Sequence, residues 1–126
     1  MSPSLTFLID THILLWTLAD PDRLSQRHAA IVFGSERLVV SVVTLWEIEI
    51  KRKTGKLEAP GDAHARLVDA GVALMPILAE HAVVAGRLPL HHRDPFDRML
   101  VAQASVEGLT LVTVDPRFSA YDVALT

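Results

Sequence analysis

Five acidic side chains stand where a chain can use them together. Asp10 follows a short apolar run at residues 5–9, Glu47 lies inside a stretch of helical spacing, Asp94 and Asp97 frame Asp94-Pro95-Phe96-Asp97, and Asp115 follows another apolar run. Each also has a purely structural use. Asp94 before Pro95 fits an N-cap followed by a first helical position. Asp97 then falls in the first turn, where the helix dipole favours an anion. Asp10 can cap the helix after it, Asp115-Pro116 can open a turn, and Glu47 can pair with Lys51, as Glu49 can with Lys53, one helical turn on. Gathered in one place, however, carboxylates can hold a divalent cation and support hydrolysis.

The elements around these acids decide whether they gather. Residues 5–9 and 38–41 read as short strands buried on both faces, because they are apolar without alternation. Residues 72–77 and 109–114 read the same way, and 123–125 reads as a short last strand. Helical spacing runs through Ile13, Leu14, Trp16 and Leu18. It resumes after Ser25 through Ala29, Ile31, Val32 and Phe33, where Gly34-Ser35 is expected to stop it. Ser41 is expected to cap a helix with Val42, Leu45, Trp46 and Ile50 on its inner face, ending in Lys51-Arg52-Lys53 with Gly55 beyond. Residues 63–70 and 80–88 read as shorter helices. Phe96, Met99, Leu100 and Ala104 give residues 94–106 a buried face, with Gly108 as the stop. Strands alternating with helices imply a three-layer α/β/α domain with a mostly parallel sheet of four to five strands, spanning 1–126.

In such a sheet, ligands bind beyond the C-terminal ends of the strands. Asp10 and Asp115 follow strands directly. A helix leading into a parallel strand starts at that same edge, which brings Asp94 and Asp97 there. Glu47 reaches it if its helix leans inward, although spacing alone does not say which glutamate does. Carboxylates about 4 Å apart repel by roughly 4 kcal/mol at an effective dielectric near 20. Such a rim needs protonation, basic partners or a divalent cation. The chain has no cysteine, so oxygen ligation by Mg²⁺ or Mn²⁺ fits better than Zn²⁺. His12, His91 and His92 are near enough in sequence to add an imidazole, but surface histidines near loops are more often bystanders.

Composition sets the outer bounds. The chain has 126 residues, half of them hydrophobic, and a formal net charge of −3. The absence of cysteine suits a reducing cytoplasm, and neither a secretory leader nor a membrane span is expected. The acidic balance argues against binding nucleic acid by bulk charge. Local basic groups must do that instead: Lys51, Arg52, Lys53 and Lys56 after the Glu47 helix, and Arg93 and Arg98 beside the acidic turn. Those residues are candidates for contacting nucleic-acid phosphates or an acidic partner segment, or simply for a solvated helix end.

Ile9-Asp10-Thr11, the 41–48 stretch containing Trp46-Glu47, Arg93-Asp94-Pro95-Phe96-Asp97-Arg98, and Thr113-Val114-Asp115 followed by Phe118 together resemble the PIN-domain ribonucleases, and more narrowly the VapC-type toxins with a DPFDR motif. The resemblance covers essentially the whole chain. It implies that Asp10, Glu47, Asp97 and Asp115 form the acidic quartet, with Asp10, Asp97 and Asp115 as ligands of Mg²⁺ or Mn²⁺ and Asp94, Thr11 and Thr113 in support. It further implies RNA phosphodiester hydrolysis, a cognate VapB-type antitoxin and a homodimer. A phosphoacceptor signalling domain would need adjacent acids after the first strand and a lysine after the last. A haloacid-dehalogenase-like phosphatase would need an acid at position 12, where His12 stands. A PIN-fold binding protein without turnover is the remaining alternative.

Overall fold

The sequence folds as an open parallel sheet because each strand carries apolar side chains to both faces. The computed structural model describes residues 5–34 and 37–126. The strands are β1 (Phe7–Ile9), β2 (Leu38–Ser41), β3 (Ala73–Met75) and β4 (Thr110–Val112), in the order β3-β2-β1-β4, all parallel. The helices are α1 (Thr11–Ala19), α2 (Gln26–Gly34), α3 (Val42–Lys53), α4 (Ala63–Asp69), α5 (Ala79–Arg87) and α6 (Pro95–Glu107). In register, Leu8 meets Val39 and Leu111, while Ile9 meets Val112. Leu8 and Leu111 join a core with Leu100, Val101, Ala104 and Phe118. Ile9, Val40 and Val112 join a second core with Ile13, Leu14, Val32 and Leu67. The sheet is therefore covered on both sides, as its unalternating strands require.

The strands are shorter than the apolar runs suggest. Leu5 is exposed, and pairing begins only where Phe7 meets Leu38 and Thr110. Pro76 has no N–H to donate, and β3 ends before it. The expected strand at 123–125 is a single parallel bridge between Leu111 and Leu125. Backbone bonds Leu111 N to Ala124 O (2.9 Å) and Thr113 N to Thr126 O (3.1 Å) secure it. Gly34 is the last residue of α2; Ser35, the other half of the expected stop, lies outside the described residues.

α3 departs from its expected orientation. Val43, Thr44, Glu47 and Ile48 face inward, whereas Trp46 and Ile50 are exposed. The helix is thus turned by roughly one residue relative to the face chosen by hydrophobicity, about 100° at 3.6 residues per turn. The cause is polar: Thr11 and Lys51 both bond Glu47, which rewards placing that carboxylate inside.

Arg98 also departs from expectation. Expected as an RNA or antitoxin contact, it is buried, and its guanidinium is spent inside the fold. It donates to the carbonyls of Ala85 (2.8 Å), Leu88 (2.9 Å), Pro89 (3.0 Å) and His92 (3.2 Å). Two of these carbonyls belong to the end of α5, where helix acceptors lack intrahelical donors. Arg98 therefore docks the end of α5 and the 88–92 loop onto α6. Tyr121 pins the same loop, donating to Pro89 O (2.9 Å) and accepting from His92 N (2.9 Å). Truncation would strand buried acceptors, so Arg98→Ala is expected to cost about 2–4 kcal/mol. Urea unfolding checks this; a loss below about 0.5 kcal/mol would contradict the docking role.

Candidate active site

α6 delivers its acids through a cap. Asp94 is the N-cap, its Oδ1 accepting from Phe96 N (2.8 Å) and Asp97 N (3.1 Å), and Pro95 occupies the first helical position. Gly108, at φ 66°, closes the helix in the left-handed region that glycine tolerates. Asp10 caps α1 in the same manner. Its Oδ1 accepts from Ile13 N at 2.9 Å, while Oδ2 accepts from the Thr113 hydroxyl. That second bond joins the ends of β1 and β4. Asp115 caps the short 3₁₀ turn Pro116–Ala120, and its own N–H is bonded by Thr113 Oγ1 (3.0 Å).

His92 was the residue least visible in the sequence. Among the described residues, His92, Asp97 and Asp115 each offer a ligand atom, and these atoms lie within 4.8 Å of one another. His92 Nε2 stands 2.7 Å from Asp97 Oδ2, and its Nδ1 faces Asp94 N at 3.3 Å. Since Nδ1 accepts there, Nε2 is the nitrogen that carries hydrogen and donates to Asp97. His92 is buried with Phe118 edge-on to its ring, whereas His91 is exposed against Tyr121. Two adjacent histidines in a loop give no sequence signal for which one turns inward.

Asp10 and Glu47 stand outside that trio but are electrically linked to it. The Asp10 carboxyl is pushed up, chiefly by burial; Thr113 and Ile13 oppose this, and Asp115 adds to it. Asp97 is pushed up to about 6, by burial first and then by the charges of Asp94 and Glu47, against the His92 hydrogen bond. Asp115 is held low, first by its hydrogen bond from Arg117. Thr11 Oγ1 donates to Glu47 Oε1 at 2.5 Å, and Lys51 Nζ reaches Oε2 at 2.5 Å. The Lys51 ammonium is partly buried, which works against its charge, yet Glu47, Asp94 and Asp97 hold it above its ordinary range.

The other basic candidates are dispersed. Arg52 is committed to the Ala59 carbonyl (3.0 Å) and to Glu49 (3.2 Å), so Glu49 pairs with Arg52 rather than Lys53. Arg93 is exposed beside the cap. Arg117, which the sequence reading did not single out, grips Asp115 with Nε and Nη2. Its signal was position alone, two residues beyond a candidate ligand.

The carboxylates of Asp97 and Asp115, with those of Asp10 and Glu47 beside them, fit a hard divalent cation. Oxygen donors suit Mg²⁺ or Mn²⁺. A positive ion would also relieve the repulsion that raises Asp97.

The PIN domain profile matches residues 7–124, and the chain belongs to the PIN domain family. It is 28% identical over 119 residues to Ribonuclease VapC22 of Mycobacterium tuberculosis (strain ATCC 25618 / H37Rv), covering 92% of each chain. Its fold is shared with the crystal structure of FitAcB from Neisseria gonorrhoeae, at TM-score 0.69, 22% identity, and coverage of 95% of this chain and 96% of that one. The crystal structure of DNA-bound VapBC from Salmonella typhimurium gives TM-score 0.70, 19% identity and 98% coverage of both chains.

The raised Asp97 carboxyl sets the sign of a stability effect. A group whose native pKa exceeds its unfolded value stabilises the fold at low pH, and that contribution is lost as pH rises through the native value. Without divalent ions, stability contributed by Asp97 is therefore expected to fall between about pH 4 and pH 7. Asp97→Asn is expected to remove that slope and to raise the melting temperature near neutrality. Calorimetry in chelator checks both; a wild-type slope unchanged in the variant would contradict the assignment.

Proposed function

We propose that this chain is a VapC-like ribonuclease toxin, held in check by an antitoxin, that hydrolyses RNA phosphodiesters with Mg²⁺ or Mn²⁺ at the acidic rim. The observation that carries the reading is the convergence of Asp10, Glu47, Asp94, Asp97 and Asp115, from separate segments of a PIN-family chain, around one cluster. Similarity to Ribonuclease VapC22 supports the choice of RNA. The antitoxin follows from relatives described as VapBC and as a toxin–antitoxin complex from Klebsiella pneumoniae. An apolar groove of about 380 Å³, lined by Leu45, Trp46, Ile48 and Ala63, offers a surface for such a partner.

In this reading Asp10, Asp97 and Asp115 would hold the cation, and the Nε2–H of His92 would keep the Asp97 carboxylate aimed at it. When bound, that ion supplies charge stabilisation to the phosphoryl oxygens and acidity to a water. Glu47, clamped between Thr11 and Lys51, orients the attacking water. Asp94 fixes the first turn of α6, and with it Asp97. Thr113 holds Asp10 against the end of β4. The water's oxygen would form the new P–O bond as the bond to the 3′ oxygen breaks; the water gives up one proton and the 3′ oxygen takes one up from solvent, leaving a 3′-hydroxyl upstream and a 5′-phosphate on the downstream fragment.

Expression in a bacterial host without antitoxin is expected to arrest growth and produce discrete RNA fragments. Asp97→Asn and Asp10→Asn are each expected to reduce purified-protein cleavage at least a hundredfold, since each removes charge where the reaction needs it. Chelation is expected to abolish cleavage in the wild type, and Mn²⁺ to restore it. Arrest and fragmentation by Asp97→Asn equal to the wild type would overturn the acidic-site reading.

A further inference from the structure

We propose that Arg117 is a two-position side chain: it parks on Asp115 while no divalent cation is bound, and the cation displaces it toward the RNA phosphate. The inference rests on the ribonuclease reading above and adds a residue to it.

The geometry of the parked position is explicit. Arg117 Nη2 lies 2.7 Å from Asp115 Oδ2, and Nε lies 3.1 Å from both carboxylate oxygens. The grip covers both oxygens of a carboxylate that also belongs to the trio of His92, Asp97 and Asp115. A cation held between Asp97 and Asp115 needs at least one of those oxygens, so full occupancy by Arg117 and by the ion are in competition.

Release costs little. The Arg117 side chain is 63% exposed, against 18% for that of Asp115, so water can take over the guanidinium's hydrogen bonds when it leaves. Its backbone N–H remains bonded to Asp115 Oδ1 at 2.9 Å, so the turn keeps its cap when the side chain leaves. A released guanidinium stays tethered two residues from Asp115, within the field of Asp97 and Asp94. Its planar fork matches a phosphate as well as a carboxylate. Three of the other basic candidates are less available for that task. Arg98 is buried on carbonyls, Arg52 is tied to Ala59 and Glu49, and Lys51 is paired with Glu47. A protein of net charge −3 would thus expose a phosphate-binding cation when the metal that activates the reaction is in place.

The two positions predict effects of opposite sign. Arg117→Gln is expected to bind Mn²⁺ about two- to fivefold more tightly, because a competing cation is gone. Free Mn²⁺ measured by electron paramagnetic resonance reads this without turnover. With Mn²⁺ saturating, the same variant is expected to bind a labelled single-stranded RNA of roughly 12 nucleotides about tenfold more weakly by anisotropy. In the wild type, the Arg117 Nε–H resonance is expected to lose its carboxylate-bonded shift as Mg²⁺ is added. If that resonance is unchanged at saturating Mg²⁺ while signals near Asp97 and Asp115 move, the inference falls and the ribonuclease reading stands. If neither moves and the wild type cuts no RNA, both fall. Arg117→Gln with unaltered Mn²⁺ affinity also overturns the inference.

Discussion

Like charges crowded on one sheet edge are the constraint from which the rest of this structure follows. Asp97 and Asp115 place oxygens within 4.8 Å of each other, a repulsion of at least about 3 kcal/mol at an effective dielectric near 20. Asp10, Glu47 and Asp94 add to the same field. The fold answers with three separate devices. Asp97 is pushed toward protonation, Glu47 is given Lys51 and Thr11, and Asp115 is given Arg117. Each relieves part of the same repulsion. A chain built only for stability would have replaced some of these acids with apolar or neutral residues.

One short stretch links that constraint to the fold. In Asp94-Pro95-Phe96-Asp97-Arg98, Asp94 starts α6 and Phe96 meets Trp46 edge-on at 5.4 Å. Asp97 enters the cluster, and Arg98 ties the end of α5 and the 88–92 loop to α6. That loop carries His92, which returns to Asp97. Capping by Asp94 and placement of Asp97 in the acidic cluster are therefore not competing readings. The cap sets the direction of the first turn, and the direction brings Asp97 to His92.

How much of this was legible in the sequence depended on whether backbone or side-chain direction decided the matter. The parallel sheet followed from unalternating apolar runs, and Asp10 and Asp115 followed from where those runs stop. Side-chain azimuth was harder to read. Hydrophobicity placed Trp46 and Ile50 inside α3, but Thr11, thirty-six positions from Glu47, pays for turning the carboxylate inward. Arg93 and Arg98 looked alike beside the acidic turn. Only the path of the 85–92 backbone, with its unpaired carbonyls, separates the buried one from the exposed one. His91 and His92 posed the same problem, resolved by Tyr121 and Phe118 from the far end of the chain.

The central claim is that these acids are an incomplete site until a divalent cation joins them. Anomalous diffraction from crystals grown with Mn²⁺ tests it most directly. An anomalous peak is expected between Asp97 and Asp115, within ligand distance of an Asp10 oxygen, with Arg117 moved off the Asp115 carboxylate. A fully Mn²⁺-soaked crystal with no peak at that rim, and Asp115 still gripped by Arg117, would contradict it.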